Sequence, residues 1–276
     1  MPTLNKIFVV IDPTTVNQPA LTSAAQIAGR SAEISLHVYE AVDSTEINND
    51  ASAELARHRT SVEALVEPIR AAGTDVSIEI ELTRDWRQAI APATERANVD
   101  LIVKIAGEHS LAGRRMLKTS DWTLLRHSHC PVYLIKKDNV ENGAKVLVAL
   151  DIARDDELHS NLNEQVLEYG RAFVDSIPHS SLHAVNDYTS SSEFVYPSDL
   201  AETTGIGKSE AHTIEGDSEK VIPEIAEEIG ADIVVIGTAA RDGFKAAVVG
   251  NTAERVLDAL QSNILTPAHD PGPLID

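Results

Sequence analysis

The sequence holds a single cysteine, Cys130, so an internal disulfide framework is excluded, which fits a reducing compartment. Aromatic residues make up only 4%, and bases are scarce: 23 Lys and Arg against 43 Asp and Glu, a formal net charge of −20. A field of that sign repels polyanions, which argues against nucleic acid and against anionic membrane surfaces as partners. No apolar run approaches the roughly 18 residues a membrane span needs. The opening MPTLNKIFVVID carries only a strand-length apolar run at 7–11, with no small-residue cleavage site behind it. The expectation is a soluble, cytoplasmic, acidic protein. Catalytic signatures are missing as well. There is no G-x-S-x-G elbow and no H-x-G-H or S-G-G-x-D-S nucleotidyl-transfer signature. The scattered carboxylates form no recognisable acid and base pair, so no catalytic residue is expected.

Three apparent motifs carry little. Gly205-Ile206-Gly207-Lys208-Ser209 resembles the tail of a P-loop, yet Glu202 stands where its first glycine belongs and residues 210–215 read as strand. His127, His129 and Cys130 have no second cluster at metal-binding spacing, so no metal site is expected. Cys130 enters a buried strand and reads as an inert core thiol.

What the chain does have is a repeat. Residues 6–12, KIFVVID, return as KVLVALD at 145–151, and Ser35-Leu36-His37 returns as Ser181-Leu182-His183. Val99-Asp100-Leu101-Ile102-Val103 matches Ala231-Asp232-Ile233-Val234-Val235, and Asp85 matches Asp217. At 276 residues and 43% hydrophobic, the chain divides into two domains with real cores, 1–138 and 139–276, joined by the polar stretch 137–144. Buried apolar runs alternate with amphipathic helical segments five times in each half. That pattern predicts an α/β fold of two tandem Rossmann-like (HUP-type) domains, each an open five-stranded parallel sheet with flanking helices. The first helix of each half is expected over 20–29 and 161–170, closing on glycine. Between the second and third strands the halves diverge. Residues 50–72 read as a helix, whereas 187–209 is Ser-, Thr- and Gly-rich and reads as a loop in a shortened crossover. Such a loop leaves sheet surface to be covered by itself, by the other half or by a ligand.

The stretch 231–257 carries the chemistry. ADIVVIGT reads as a strand buried on both faces that breaks at Gly237. A polar turn follows with Thr238, Ala240 and Arg241, then a helix start at Gly250-Asn251-Thr252. Asn251 is placed to cap that helix, with Glu254 reaching back to it. A glycine before a helix N-terminus lets backbone N–H groups approach an anion, and phosphate suits such a cradle. Asp151, ending the first strand of the second half, lies where the strand order reverses and ligands bind. It serves either as a ligand contact or as the cap of the next turn, and Arg241 is either a phosphate contact or a solvated loop residue. In the first half Ile105 and Lys118 replace Gly237 and Gly250, so two side chains stand where backbone must approach phosphate.

Gly237-x2-Ala240-x9-Gly250-Asn251-Thr252 resembles the G-x2-G-x9-G-[S/T] loop of the ATP-binding universal stress proteins. GTAARDGFKAAVVGNTAERV is similar to tandem E-type members of that family. Two departures stand out: Ala240 replaces a glycine and its methyl crowds a phosphate, and Asn251 replaces Ser or Thr. The resemblance implies ATP or AMP, with Mg as companion ion, held in the second half by Asp151, Gly237, Thr238, Ala240, Arg241, Gly250, Asn251 and Thr252. It implies a nucleotide-sensing role in stress response with at most weak ATP hydrolysis, no nucleotide in the first half, and pairing of the halves, or of two copies, through their last strands. The other expectation is a binder of a different, apolar small molecule or a protein-interaction module with a partner yet to be found.

Overall fold

The computed structural model describes residues 4–46, 50–107, 119–138, 140–154, 156–238 and 251–268. The first half runs β1 (Lys6–Val10), α1 (Pro19–Ala28), β2 (Ser35–Asp43), α2 (Ala51–Ala71), β3 (Val76–Thr83), α3 (Trp86–Ala97), β4 (Leu101–Ile105), α4 (Thr119–His127) and β5 (Val132–Ile135). The second repeats it as β6 (Lys145–Leu150), α5 (Glu157–Ser176), β7 (Ser181–Tyr188), α6 (Pro197–Thr204), β8 (Ala211–Glu215), α7 (Ser218–Ile229), β9 (Ile233–Ile236), α8 (Asn251–Ala259) and β10 (Asn263–Thr266).

Within each half all strands are parallel, in the orders β3-β2-β1-β4-β5 and β10-β9-β6-β7-β8. Helices cover both faces, which is why β1, β4, β6 and β9 can be apolar without alternation. One face packs Val9, Val103, Val146 and Val235 against α1, α2, α5 and α6; the other packs Phe8, Ile102, Leu147 and Val234 against α3, α4, α7 and α8. Each such fully buried side chain contributes about 1.5–3 kcal/mol.

The two halves make one continuous ten-stranded sheet rather than two separate ones. Its single antiparallel seam pairs β10 with β5, Ile264 opposite Leu134 and Leu265 opposite Tyr133. The last strands of the two halves therefore cover each other's edges. Asn263 locks the seam: its Oδ1 accepts from the backbone N–H groups of Lys136 and Lys137 at 2.8 and 2.9 Å.

Two expectations need correction. The segment 187–209 is not a bare loop. It contains the eight-residue helix α6, started by Pro197 with its preset φ and closed by Gly205 in the left-handed region at φ 70°. Leu200, Ala201 and Thr204 bury against the sheet, so the crossover is shortened but the surface beneath it is covered. The same geometry settles the P-loop resemblance, because Gly205 is a helix stop and strand β8 follows. Gly170, expected to end its helix, lies inside α5. A Cβ there would stand 2.4 Å from Val148 Cγ1, so glycine lets the helix press directly on β6.

The carboxyl edge of the second half as candidate functional site

β6 and β9 run side by side, Ala149 opposite Ile236, so Asp151 and Gly237 leave the sheet together where the strand order reverses. Helix α8 returns from β9 to the parallel neighbour β10, which puts its N-terminus at the same edge. Of the residues singled out by sequence, Asp151, Gly237, Thr238, Asn251 and Thr252 are thus brought to one crevice. Ala240, Arg241 and Gly250 lie outside the described residues.

Asp151 is fixed by a side-chain amide. Asn163 Oδ1 accepts from the Asp151 N–H at 3.0 Å and its Nδ2 donates to the Asp151 carbonyl at 2.8 Å. The Asp151 carboxylate faces Arg154, whose Nε lies 3.3 Å away. Arg154 also reaches His159 Nε2 at 3.4 Å, and His159 is held in turn by Asp156, the cap of α5, at 2.7 Å. This places a cation at the edge of the crevice. No sequence pattern marks it, because Arg154 sits in a short polar turn.

Asn186 was missed too. It ends the buried part of β7, fully buried, with Oδ1 accepting from the Ile152 N–H at 2.9 Å and Nδ2 without a partner. A polar residue following HAV inside a strand was the available hint. Thr238 is buried at the end of β9. Gly237 has a packing role as well, since a Cβ there would fall 2.4 to 2.8 Å from the Leu162 side chain on α5. Glu254 Oε1 pairs with Arg126 of α4, across the two halves.

The matching edge of the first half is built differently. Gln18 clamps Asp12 as Asn163 clamps Asp151, with Asp12 N–H to Oε1 at 3.1 Å and Nε2 to the Asp12 carbonyl at 2.7 Å. At the start of α4, however, Asp121 takes the place of Ala253. Its carboxylate is fully buried and accepts from Lys104 Nζ at 2.6 Å and from the Gly107 N–H at 2.9 Å. A carboxylate of the chain itself therefore sits at the helix N-terminus, where an exogenous anion would bind.

Cys130 is buried, and burial together with the Asp100 charge pushes its thiol up to about 12, so it stays protonated and inert. Among the described residues no group of three or more His, Cys, Asp or Glu is arranged to hold a metal ion. No helix among them is long and apolar enough to cross a membrane.

The duplication is matched by a known sequence family. The sequence model of the universal stress protein family matches residues 3–136 and again 145–265. The chain belongs to the universal stress protein family. It is 28% identical over 291 aligned positions to Universal stress protein E of Escherichia coli K12, covering 94% of this chain and 92% of that one. The Haemophilus influenzae homologue of that protein is 24% identical, with 94% and 96% covered. Among solved structures, a universal stress protein from Pseudomonas aeruginosa UCBPP-PA14 superposes with a TM-score of 0.80 at 28% identity, covering 96% of this chain and 93% of that one. One from Archaeoglobus fulgidus shares the fold at a TM-score of 0.67 and 20% identity, with 95% and 96% covered.

Proposed function

We propose that this universal stress protein binds one adenine nucleotide, ATP or AMP, in its second half and acts in stress response by sensing it. The observation that carries this reading is the contrast between Asp121 and Ala253 at equivalent helix starts. The first half fills its N-terminal anion position with its own buried carboxylate, held by Lys104 and Gly107. The second half has Ala253 there, and its nearest acid, Glu254, pairs with Arg126. The N-terminus of α8 is left to an outside anion, with Arg154 to add positive charge in an otherwise acidic chain. Thr238, Arg241, Gly250, Asn251 and Thr252 would hold the phosphates, with Mg as companion ion, while Asp151 and the free Nδ2 of Asn186 would face ribose and base. The role is binding, with at most weak hydrolysis. Phosphate contact would alter the surface shown to a partner.

The test is mass spectrometry of small molecules released on denaturing the purified protein, beside a Gly250→Trp variant. ATP, ADP or AMP near one per chain, absent from the variant, supports the reading. An empty protein with no affinity for added ATP overturns it.

A second reading has one observation in its favour. Tyr188, Phe194 and Tyr196 form an edge-to-face aromatic row beyond the end of β7, with Tyr196 63% exposed. Such a row suits an apolar ligand or a protein partner. A lipid or metabolite mass in place of nucleotide would favour it.

A further inference from the structure

The duplication lets each half serve as the reference for the other. Glu40 in β2 and Asn186 in β7 hold the same place, one step past the strand pairs Val10–Tyr39 and Ala149–Val185. Both are buried, at 3% and 0% exposure, and each leaves one polar atom unpartnered: Glu40 Oε2 and Asn186 Nδ2. The second half thus presents a spare donor at this position and the first a spare acceptor.

Around Glu40 the first crevice is acidic. Its Oε1 contacts His58 Nδ1 at 2.9 Å, and the other ring nitrogen of His58 lies 3.2 Å from Glu54. Asp12 stands close by at the end of β1, its Oδ1 already accepting from Thr14 N–H and Oγ1 at 2.9 and 2.6 Å. Among the described residues no lysine or arginine pairs with Asp12 or Glu40, while Arg57 on the adjacent helix pairs with Glu54. Burial raises the Glu40 pKa; the His58 hydrogen bond and charge oppose this, and Asp12 adds a smaller rise. A buried carboxylate with an unpaired oxygen beside a second carboxylate is costly unless a positive donor joins it. At the start of α4 this half already carries an acid, Asp121, which accepts from the Gly107 N–H.

We infer that the first crevice binds a small ammonium- or guanidinium-bearing molecule, its N–H donors meeting Glu40 Oε2 and the Asp12 carboxylate. A metal ion is disfavoured, since no three ligating groups converge here. This inference does not depend on nucleotide binding in the second half.

The probes are agmatine and putrescine, titrated calorimetrically into the full chain, with magnesium chloride as the control for simple charge neutralisation. Saturable binding of either amine at one per chain, weakened at least about tenfold by Glu40→Gln, is expected; a tenfold loss corresponds to about 1.4 kcal/mol. Asp12→Asn provides a second variant if Glu40→Gln fails to fold, and the same loss is expected there. Absence of saturable binding by both amines overturns the inference. So does equal affinity in the variant, or magnesium competing at equal concentration. ATP binding measured on the same samples should be unchanged by Glu40→Gln, which separates failure of this site from failure of the second.

Discussion

Lys136 Nζ, from the first half, donates at 2.7 Å to the carbonyl of Leu260, just past the last turn of helix α8 in the second. It donates equally to Leu257, so a buried ammonium caps the C-terminus of the helix whose N-terminus is the proposed phosphate cradle. Arg126 holds the other end of α8 through Glu254. Helix α8 is thereby gripped at both ends by residues of the half that lacks the cradle.

Burial pushes Lys136 down to about 8, with nearby Asp258 and Asp121 opposing the shift. The unfolded chain then holds more protons than the folded one between pH 8 and about 10.5, so this group makes stability rise with pH across that window. The full effect is about 3 kcal/mol at most. Lys136→Met should flatten the dependence of urea midpoint on pH between 8 and 10. Parallel profiles for the two proteins would refute the buried-charge account.

His183 and His212 face each other across β7 and β8, Nδ1 to Nε2 at 3.5 Å. Burial lowers both, and for His183 the neighbouring His212 adds to it, while Glu210 and Glu228 pull the other way. The fold therefore prefers both rings neutral. Stability is complete above about pH 6.5 and falls as pH drops below it, because the unfolded chain takes up protons first. Urea midpoints at pH 7.5 and 5.5 should show a drop that His212→Gln reduces. An undiminished drop in the variant would assign the effect to other groups.

Gly237→Ala tests whether this glycine serves packing as well as ligand approach. The new methyl meets Leu162, so a loss of about 1–3 kcal/mol is expected. Adding Leu162→Ala should recover part of it through a coupling of about 0.5–3 kcal/mol in a double-mutant cycle. Strict additivity would show that the two positions do not share space. If the double variant folds yet loses nucleotide, Gly237 serves the ligand too.

Much of this was legible beforehand, for physical reasons that can be named. KIFVVID and KVLVALD announce themselves because strands buried on both faces need unbroken apolar runs, and the repeat fixes the parallel architecture. Helix α6 escaped detection because eight residues opened by a proline and rich in Ser and Thr carry too little periodicity. Gly170 misled because glycine marks both helix ends and close packing, and only the Val148 contact tells them apart. At the site, Asp151, Gly237 and Thr238 could be placed by topology alone. Asn163, Arg154 and Asn186 could not, because their roles arise only when separate segments meet at one edge. Asp121 reads in sequence as an ordinary acid in a first helical turn; only the fold shows it bonded to Lys104 and Gly107.

Cys130 offers a simple check on core integrity. With its thiol pushed up to about 12, thiolate is negligible at pH 8 and the side chain is buried. Iodoacetamide should leave it unmodified in the native protein and label it fully in denaturant. Rapid native labelling would mean that the start of β5, and with it the seam, opens readily.

The asymmetry of the two halves is tested most directly by calorimetric titration of ATP into the intact chain. One site per chain, abolished by Gly250→Trp and untouched by Asp121→Asn, is the predicted result. Two equivalent sites, or one site that survives Gly250→Trp, would contradict it.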